Sequence, residues 1–387
     1  MTEGSISKEL FSTIKEKEQA ILVGVESTVN RSKWPIRDSL LELQDLAQSA
    51  GAKVVGQVTQ KLPEPSRMLY LGKGKVEELM ALKTKLNFNI VIVDDELTPQ
   101  QQENLEDLLQ TKVIDRVTLI LDIFARRART HEGKIQVELA QHEYNLPRLA
   151  GKWRHLERLG AGIGTRGPGE SQLETDRRLI KQKITHLKKK LEEIRQHRNL
   201  YRQKRNRTGV PIIALVGYTN AGKSSLFNSL SNAGVLAKNE LFSTLDPTTR
   251  RLALPDGRKI LLTDTVGFIR KLPATLIAAF RATLEELSEA DLLIHVIDLN
   301  SFNATEQSET VEDILQDLNL QDKPRINALN KIDLLLPDNR KWNEQGALTY
   351  IITRCGMPDE DSVLISAEKK WGLIQLLEKI GSKLAKK

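Results

Sequence analysis

Gly217-Tyr218-Thr219-Asn220-Ala221-Gly222-Lys223-Ser224 is the stretch whose reading decides the fold. It has the spacing G-x-x-x-x-G-K-[ST]. Pro211-Ile212-Ile213-Ala214-Leu215-Val216 before it is an apolar run of strand length, and Ser225-Leu226-Phe227-Asn228-Ser229-Leu230 after it starts a helical pattern. A glycine-rich loop between a buried strand and a helix is a phosphate cradle. Glycines let backbone N–H groups close on phosphate oxygens, and the helix N-terminus adds a favourable dipole. In such a loop Lys223 reaches the β- and γ-phosphates and the Ser224 hydroxyl ligates Mg²⁺. The chain is therefore expected to be α/β, with a P-loop domain over residues 209–387.

Further motifs follow in the order a guanine-nucleotide domain requires. Leu241-Phe242-Ser243-Thr244-Leu245-Asp246-Pro247-Thr248-Thr249-Arg250 has the composition of a first switch, with Phe242 to Asp246 as candidate nucleotide contacts and Thr244, Thr248 and Thr249 as candidate hydroxyls. Ile260-Leu261-Leu262-Thr263-Asp264 reads as a strand ending in an acid that holds Mg²⁺ through water, followed by Thr265-Val266-Gly267. The Gly267 N–H is the candidate γ-phosphate contact and starts the second switch, so Lys223, Thr244 and Gly267 form the expected catalytic set. Leu292 to Asp298 is another buried strand, whose His295 reads as a core histidine. In Asn330-Lys331-Ile332-Asp333 the carboxylate of Asp333 can accept both N1–H and the N2 amine of guanine, which adenine cannot offer. Ser366-Ala367-Glu368, after Val363-Leu364-Ile365, is expected to give a backbone contact to the guanine oxygen. Together these motifs imply GTP and GDP rather than ATP.

Two positions bear on rate. Phe268 stands where many GTPases carry a water-orienting glutamine, and a phenyl ring cannot orient water. Slow intrinsic hydrolysis is expected, with water oriented by another group or by a bound partner. Asn220 is a candidate K⁺ ligand, since K⁺ can stand in for an arginine finger. Arg250 and Arg251 are alternative positive charges.

Upstream, residues 1–128 alternate apolar runs with helical patterns. Strands are expected at Ala20–Val25, Ala52–Val58, Asn89–Asp94 and Thr111–Asp115. Helices are expected at Arg37–Ser49, Val76–Leu86 and Pro99–Leu109. That alternation gives a small α/β domain with a mainly parallel sheet. Gly72-Lys73-Gly74-Lys75 reads as a helix-entry turn, and Asp94-Asp95-Glu96 as an acidic strand end capping the Pro99 helix.

Residues 129–208 differ. Ile135, Leu139, His142, Leu146 and Leu149 repeat at coiled-coil spacing, as do Ile180, Ile184, Leu187, Leu191 and Ile194. An antiparallel helical hairpin buries that seam, with Pro147 ending or kinking the first helix. Gly160 to Glu170 is a glycine-rich tip that cannot fill a core, flanked by Lys152, Arg154 and Arg158 and carrying Arg166. Between Arg148 and Arg207 there are 18 Lys/Arg and 6 Asp/Glu, a net +12 in a chain of net +7 over 387 residues. One segment holds the whole basic excess, which points to a polyanion, RNA first. With the single cysteine Cys355 no internal disulfide forms, no apolar run reaches membrane-spanning length, and Met1 to Ser5 lacks a signal pattern. A cytoplasmic monomer is expected.

At four places the chain resembles the HflX family of translational GTPases, relatives of the Obg group: GAGIGTRGPGESQLETDRR (160–178), Gly217 to Ser224, FSTLDPTTRR (242–251) and DTVGFI (264–269). The likeness covers nearly the full chain. It makes Thr244, which aligns with the switch threonine of related GTPases, the expected second Mg²⁺ hydroxyl and γ-phosphate sensor. It implies binding to the large (50S) ribosomal subunit and its rRNA through residues 129–208 and the N-terminal domain, and GTP-dependent splitting or rescue of stalled ribosomes. It also puts Phe268 among the hydrophobic-substituted GTPases. Some family members carry a further C-terminal domain, whereas this chain ends soon after the helix holding Trp371, Leu373, Leu376 and Leu377. A large-subunit assembly GTPase and an RNA-binding GTP switch use the same sites and are the alternative readings.

Overall fold

A computed structural model describes residues 18–29, 34–149, 168–206, 209–231, 241–242, 244–272, 287–337 and 341–385. The first unit contains β1 (Gln19–Ser27), α1 (Ile36–Ser49), β2 (Lys53–Leu62), α2 (Lys73–Leu86), β3 (Ile90–Val93), α3 (Pro99–Leu109), β4 (Lys112–Asp115) and α4 (Arg116–Arg127). Its sheet has the order β2-β1-β3-β4, and every pairing is parallel. β1 and β3 are apolar on both faces because both faces are covered. Ala20, Leu22, Ile90 and Ile92 point to a core with α1 and α4, while Ile21, Val23, Val91 and Val93 point to a core with α2 and α3.

The sequence reading did not anticipate α4. Arg116, Val117, Leu119, Ile120, Leu121, Ile123 and Phe124 are buried while Thr118, Asp122 and Arg126 stay outside, and the helix follows β4 with no intervening turn to announce a new element. Nor do Asp94, Asp95 and Glu96 cap α3. Thr98 does so, accepting the Gln101 N–H while the Gln101 side chain returns to the Thr98 N–H. Asp94 is wholly buried and serves the domain contact described below.

α5 (His131–Asn145) leads into a 3₁₀ turn, Leu146–Arg148, at Pro147, as expected of a residue that cannot continue a helix. α6 (Pro168–Asn206) runs back along it. Ile135, Leu139, Ile184, Leu187, Leu191 and Ile194 form the seam. Ion pairs Glu132–Arg198 (2.7 Å), Glu138–Lys183 (2.6 Å) and Glu143–Lys188 (2.7 Å) tie the two helices together. The glycine-rich tip, including Lys152, Arg154, Arg158 and Arg166, lies outside the described residues apart from the backbone of Pro168 to Glu170.

The last unit contains β5 (Ile212–Gly217), α7 (Lys223–Ser231), β6 (Thr248–Ala253), β7 (Lys259–Asp264), β8 (Leu292–Asp298), α8 (Ala304–Asp317), β9 (Arg325–Asn330), α9 (Glu344–Cys355), β10 (Ser362–Leu364) and α10 (Leu373–Ala385). The sheet order is β10-β9-β8-β5-β7-β6, parallel except for β6. Its alternate faces bury Ile213 and Leu215 against α7 and α10, and Ala214 and Val216 toward α8. That second face is continuous with the α1–α4 face of the first unit, through Tyr218, Leu241, Phe242, Leu245, Val266 and Phe268. The two α/β units therefore share one apolar core, and the phosphate loop and both switch segments lie in the seam between them.

A nucleotide site joined to the N-terminal domain

β5 ends where the chain turns sharply into the loop. Gly217 has φ 150°, and a Cβ there would lie 2.4 Å from the Val296 carbonyl oxygen. Gly222 has φ 97°, and its Cβ would lie 2.2 Å from the Asn330 amide. Only glycine fits either place. Lys223 Nζ donates to the carbonyl oxygens of Gly217 (3.0 Å) and Tyr218 (2.7 Å). Burial pulls its pKa down to about 8, against the raising effect of Asp264, and Lys331 lowers it further. The loop thus keeps a cation in place by lending it backbone oxygens.

Ser224 at the start of α7 donates to Asp264 Oδ2 (2.7 Å), and so does Thr244 Oγ1 (2.8 Å); the two hydroxyls are 2.8 Å apart. Thr248 and Thr249 stand on β6, where Thr249 bonds Thr263, so of the three candidate threonines Thr244 is the one that meets Ser224 and Asp264. Burial raises the Asp264 carboxyl above its ordinary value, against the hydrogen bonds that lower it. Its Oδ1 is buried without a hydrogen-bond partner, as are Thr219 Oγ1 and Asp333 Oδ1. Two hydroxyls and a carboxylate with an open oxygen form a hard-oxygen set that fits Mg²⁺. The orphaned oxygen of Asp333 similarly fits a donor edge such as that of guanine.

Asn330 ties the nucleotide segments together. Its Nδ2 donates to Ala221 O (2.8 Å), and its Oδ1 accepts the Ala367 N–H (3.0 Å). Of the Ser366 to Glu368 backbone, the Ala367 N–H is thus taken by Asn330. Ser366 Oγ accepts the Lys369 N–H at 3.0 Å, and the Glu368 side chain is exposed. Lys331 has φ 65°, and its Nζ pairs with Asp298 at 2.7 Å; Ile332 packs inward. Thr265 Oγ1 donates to Leu215 O (2.6 Å), holding β7 to the loop strand. A Cβ on Gly267 would lie 3.0 Å from Lys223 Nζ, so the backbone passes close to the phosphate cradle. Val266 and Leu245 are buried in the shared core, and Asn220 has φ 61° with an exposed side chain. Ser243 lies outside the described residues.

Two expected site residues, Phe242 and Asp246, point elsewhere, and so does the ring of Phe268. The Phe242 ring stacks edge-on against Phe124, 4.6 Å between centroids. Phe268 is 2% exposed, with its ring in the shared core; its N–H donates to Gly217 O (3.1 Å) and its carbonyl accepts the Thr219 N–H (2.7 Å). The Asp246 carboxylate faces away from the phosphate loop. Oδ2 accepts the N–H groups of Arg129 (2.8 Å) and Thr130 (2.9 Å), and Oδ1 accepts the Thr130 hydroxyl (2.5 Å).

Motif reading missed a polar ring between the units. The Tyr218 hydroxyl donates to Glu42 (2.5 Å) and accepts the Arg270 N–H (3.0 Å). Glu42 pairs with Arg116, which also bonds Asp94 at 2.9 Å. Asp94 accepts from Ser39 (2.7 Å) and Lys271 (2.5 Å), and Lys271 also meets Asp95 at 2.5 Å. Burial alone would raise the Asp94 carboxyl, but Lys271 and Arg116 outweigh it and hold it below the usual range. This ring sits at the carboxyl ends of β1 and β3, the strands between which the sheet order reverses. Open α/β sheets bind ligands at that crevice. Here the crevice holds the side chain of Lys271, four residues past Gly267. The only sequence signal was the acid pair Asp94-Asp95 ending a buried strand.

Profiles described as GTP-binding GTPase N-terminal, GTP-binding GTPase Middle Region and 50S ribosome-binding GTPase match residues 37–125, 127–205 and 212–331. GTPase HflX of Caldanaerobacter subterraneus subsp. tengcongensis is 50% identical over 372 residues, covering 96% of this chain and 82% of that relative. The chain belongs to the HflX family of GTPases. GTPase HflX of Escherichia coli K12 is 45% identical over 326 residues, 84% of this chain and 76% of that protein. Among solved structures, SsGBP in complex with GDP aligns with a TM-score of 0.50 at 28% identity, over 95% of this chain and 99% of that one. This HflX chain is thus a GTP-binding GTPase, with the α/β, hairpin and P-loop architecture expected from its sequence. Among the described residues no helix is long and apolar enough to cross a membrane.

Proposed function

We propose that this chain is a GTP-hydrolysing factor that binds the large ribosomal subunit and acts in splitting or rescue of ribosomes. The observation that carries the reading is α6, a long helix with one seam buried against α5 and an exposed face bearing Arg177, Arg178, Lys181 and Lys189. Cations at helical spacing along an exposed rod track a phosphate backbone. The 50S ribosome-binding description of the profile over residues 212–331 supports the same partner. The rRNA contact runs through residues 129–208 and the N-terminal domain.

For the reaction, Ser224, Thr244 and Asp264 are proposed to hold Mg²⁺, which when bound offsets charge on the β- and γ-phosphates. Lys223 leaves its two carbonyl partners to meet the same phosphates, and the Gly267 N–H steadies the γ-phosphate. Residues 217–224 wrap the phosphates. Asn330 and Lys331 fix the base, Asp333 reads guanine, and backbone of residues 366–368 lines its far edge. Asn220, at the rim of the loop, is the proposed K⁺ ligand. Phe268, with its ring buried, cannot orient water, so hydrolysis accelerates when the ribosome supplies or orders the missing group.

Sedimentation with purified subunits and intact ribosomes tests this. The protein should pellet with large subunits most strongly with a non-hydrolysable GTP analogue, and with GTP should convert intact ribosomes to subunits. Absence from the large-subunit pellet in every nucleotide state would overturn it. Binding that leaves intact ribosomes whole would favour the assembly or switch reading.

A further inference from the structure

We infer that Asp246 is a positioning residue for GTP hydrolysis: seated on the N-terminus of α5, it holds Thr244 at the metal and γ-phosphate position. The inference rests on the reading of Thr244 given above.

Thr244 and Asp246 are separated by one residue in an irregular segment that precedes β6. The Thr244 hydroxyl is tied to Asp264 and Ser224. The Asp246 carboxylate is tied to two backbone N–H groups and one hydroxyl of the helical middle region. Leu245 between them is buried in the shared core. The segment is therefore pinned at three successive side chains, and Asp246 is the charged pin.

The seat suits a carboxylate. Thr130 is the N-cap of α5, its Oγ1 accepting the Gly133 N–H at 2.9 Å while donating to Asp246. The carboxylate thus extends the cap, and a negative charge at a helix N-terminus is stabilising. Turned the other way, the same charge would face the phosphates. The α5 seat keeps Asp246 clear of the nucleotide and draws Thr244 toward it. Gly133 makes room, because a Cβ there would lie 2.4 Å from Asp246 Oδ1. By linkage, whatever steadies the base of the α5–α6 hairpin also favours the triphosphate state, by the same factor in both directions.

The test uses the full chain with Asp246→Ala, Gly133→Ala and, as reference, Thr244→Ala. Gly133→Ala displaces the carboxylate sterically while keeping its charge, and alanine is the better helix former. Affinities for fluorescent GDP and for a non-hydrolysable GTP analogue, the Mg²⁺ half-saturation of analogue binding, and single-turnover hydrolysis are measured. Both new variants should weaken analogue binding by about tenfold and raise the Mg²⁺ requirement, with GDP affinity within about twofold. Equal losses for GDP and analogue would mark a merely structural contact and overturn the inference. Analogue binding unchanged in both, with Thr244→Ala impaired, would overturn it while sparing the Thr244 reading. Unchanged analogue binding in Thr244→Ala would remove the reading on which it stands.

Discussion

Replacing Arg116 by methionine tests the polar ring between the units. The guanidinium is 1% exposed and pairs with Glu42 and Asp94, themselves buried. Methionine keeps much of the volume and removes the charge. Glu42 then retains the Tyr218 hydroxyl, and Asp94 retains Ser39 and Lys271. Stranding buried carboxylates by removing one partner costs about 3–5 kcal/mol. A domain's whole stability is about 5–15 kcal/mol, so the loss should be plain. Urea unfolding followed by tryptophan fluorescence suits the assay, because Trp34 stacks on Tyr218 at 6.1 Å and lies beneath Arg270. Adding Asp94→Asn should recover part of the loss, since the second change removes a charge the first left unpaired. A shift under about 1 kcal/mol for Arg116→Met, or strict additivity in the double variant, would refute the coupling argument. The pH sign follows from the lowered Asp94 value. Its contribution is fully present above the ordinary carboxyl range near pH 4 and is lost as pH falls through the lower folded value.

Three further outcomes are expected. Burial pulls the pKa of Lys223 down to about 8. GTP binding above that pH should therefore take up a proton and weaken by up to about tenfold per pH unit, read by calorimetry in buffers of different ionisation heat. His295 is held neutral by burial, with a pKa of about 4. The unfolded chain protonates near pH 6.5 and the folded one does not, so stability should fall by about 3 kcal/mol from pH 6.5 to 4. Replacing His295 with leucine should flatten that slope in urea melts. Phe268→Gln should lower the melting temperature without raising single-turnover hydrolysis, because the side chain at this position enters the core rather than the phosphate site.

The sheets were legible because their strands are short apolar runs separated by helical patterns, and the phosphate loop because its glycines answer to specific close approaches. The α5–α6 seam was legible from its spacing alone. α4 was not, since it follows β4 directly and no turn residue separates the two elements. Asp94 was misread as a cap because its partners, Arg116 and Lys271, lie 22 and 177 residues away. Asp246 sits inside a nucleotide motif, yet its carboxylate serves α5, 116 residues upstream. Sequence spacing carries local hydrogen bonds and periodic faces; it does not carry the partner of a charge across two domains.

The crevice at the ends of β1 and β3 has one more consequence. Its occupant, Lys271, is tethered to the same chain, so it competes as a ligand at an effective concentration on the order of millimolar. A small cation would need comparable affinity merely to share the site. The acid pair Asp94–Asp95 is therefore already neutralised from within the chain, by a side chain of the other α/β unit.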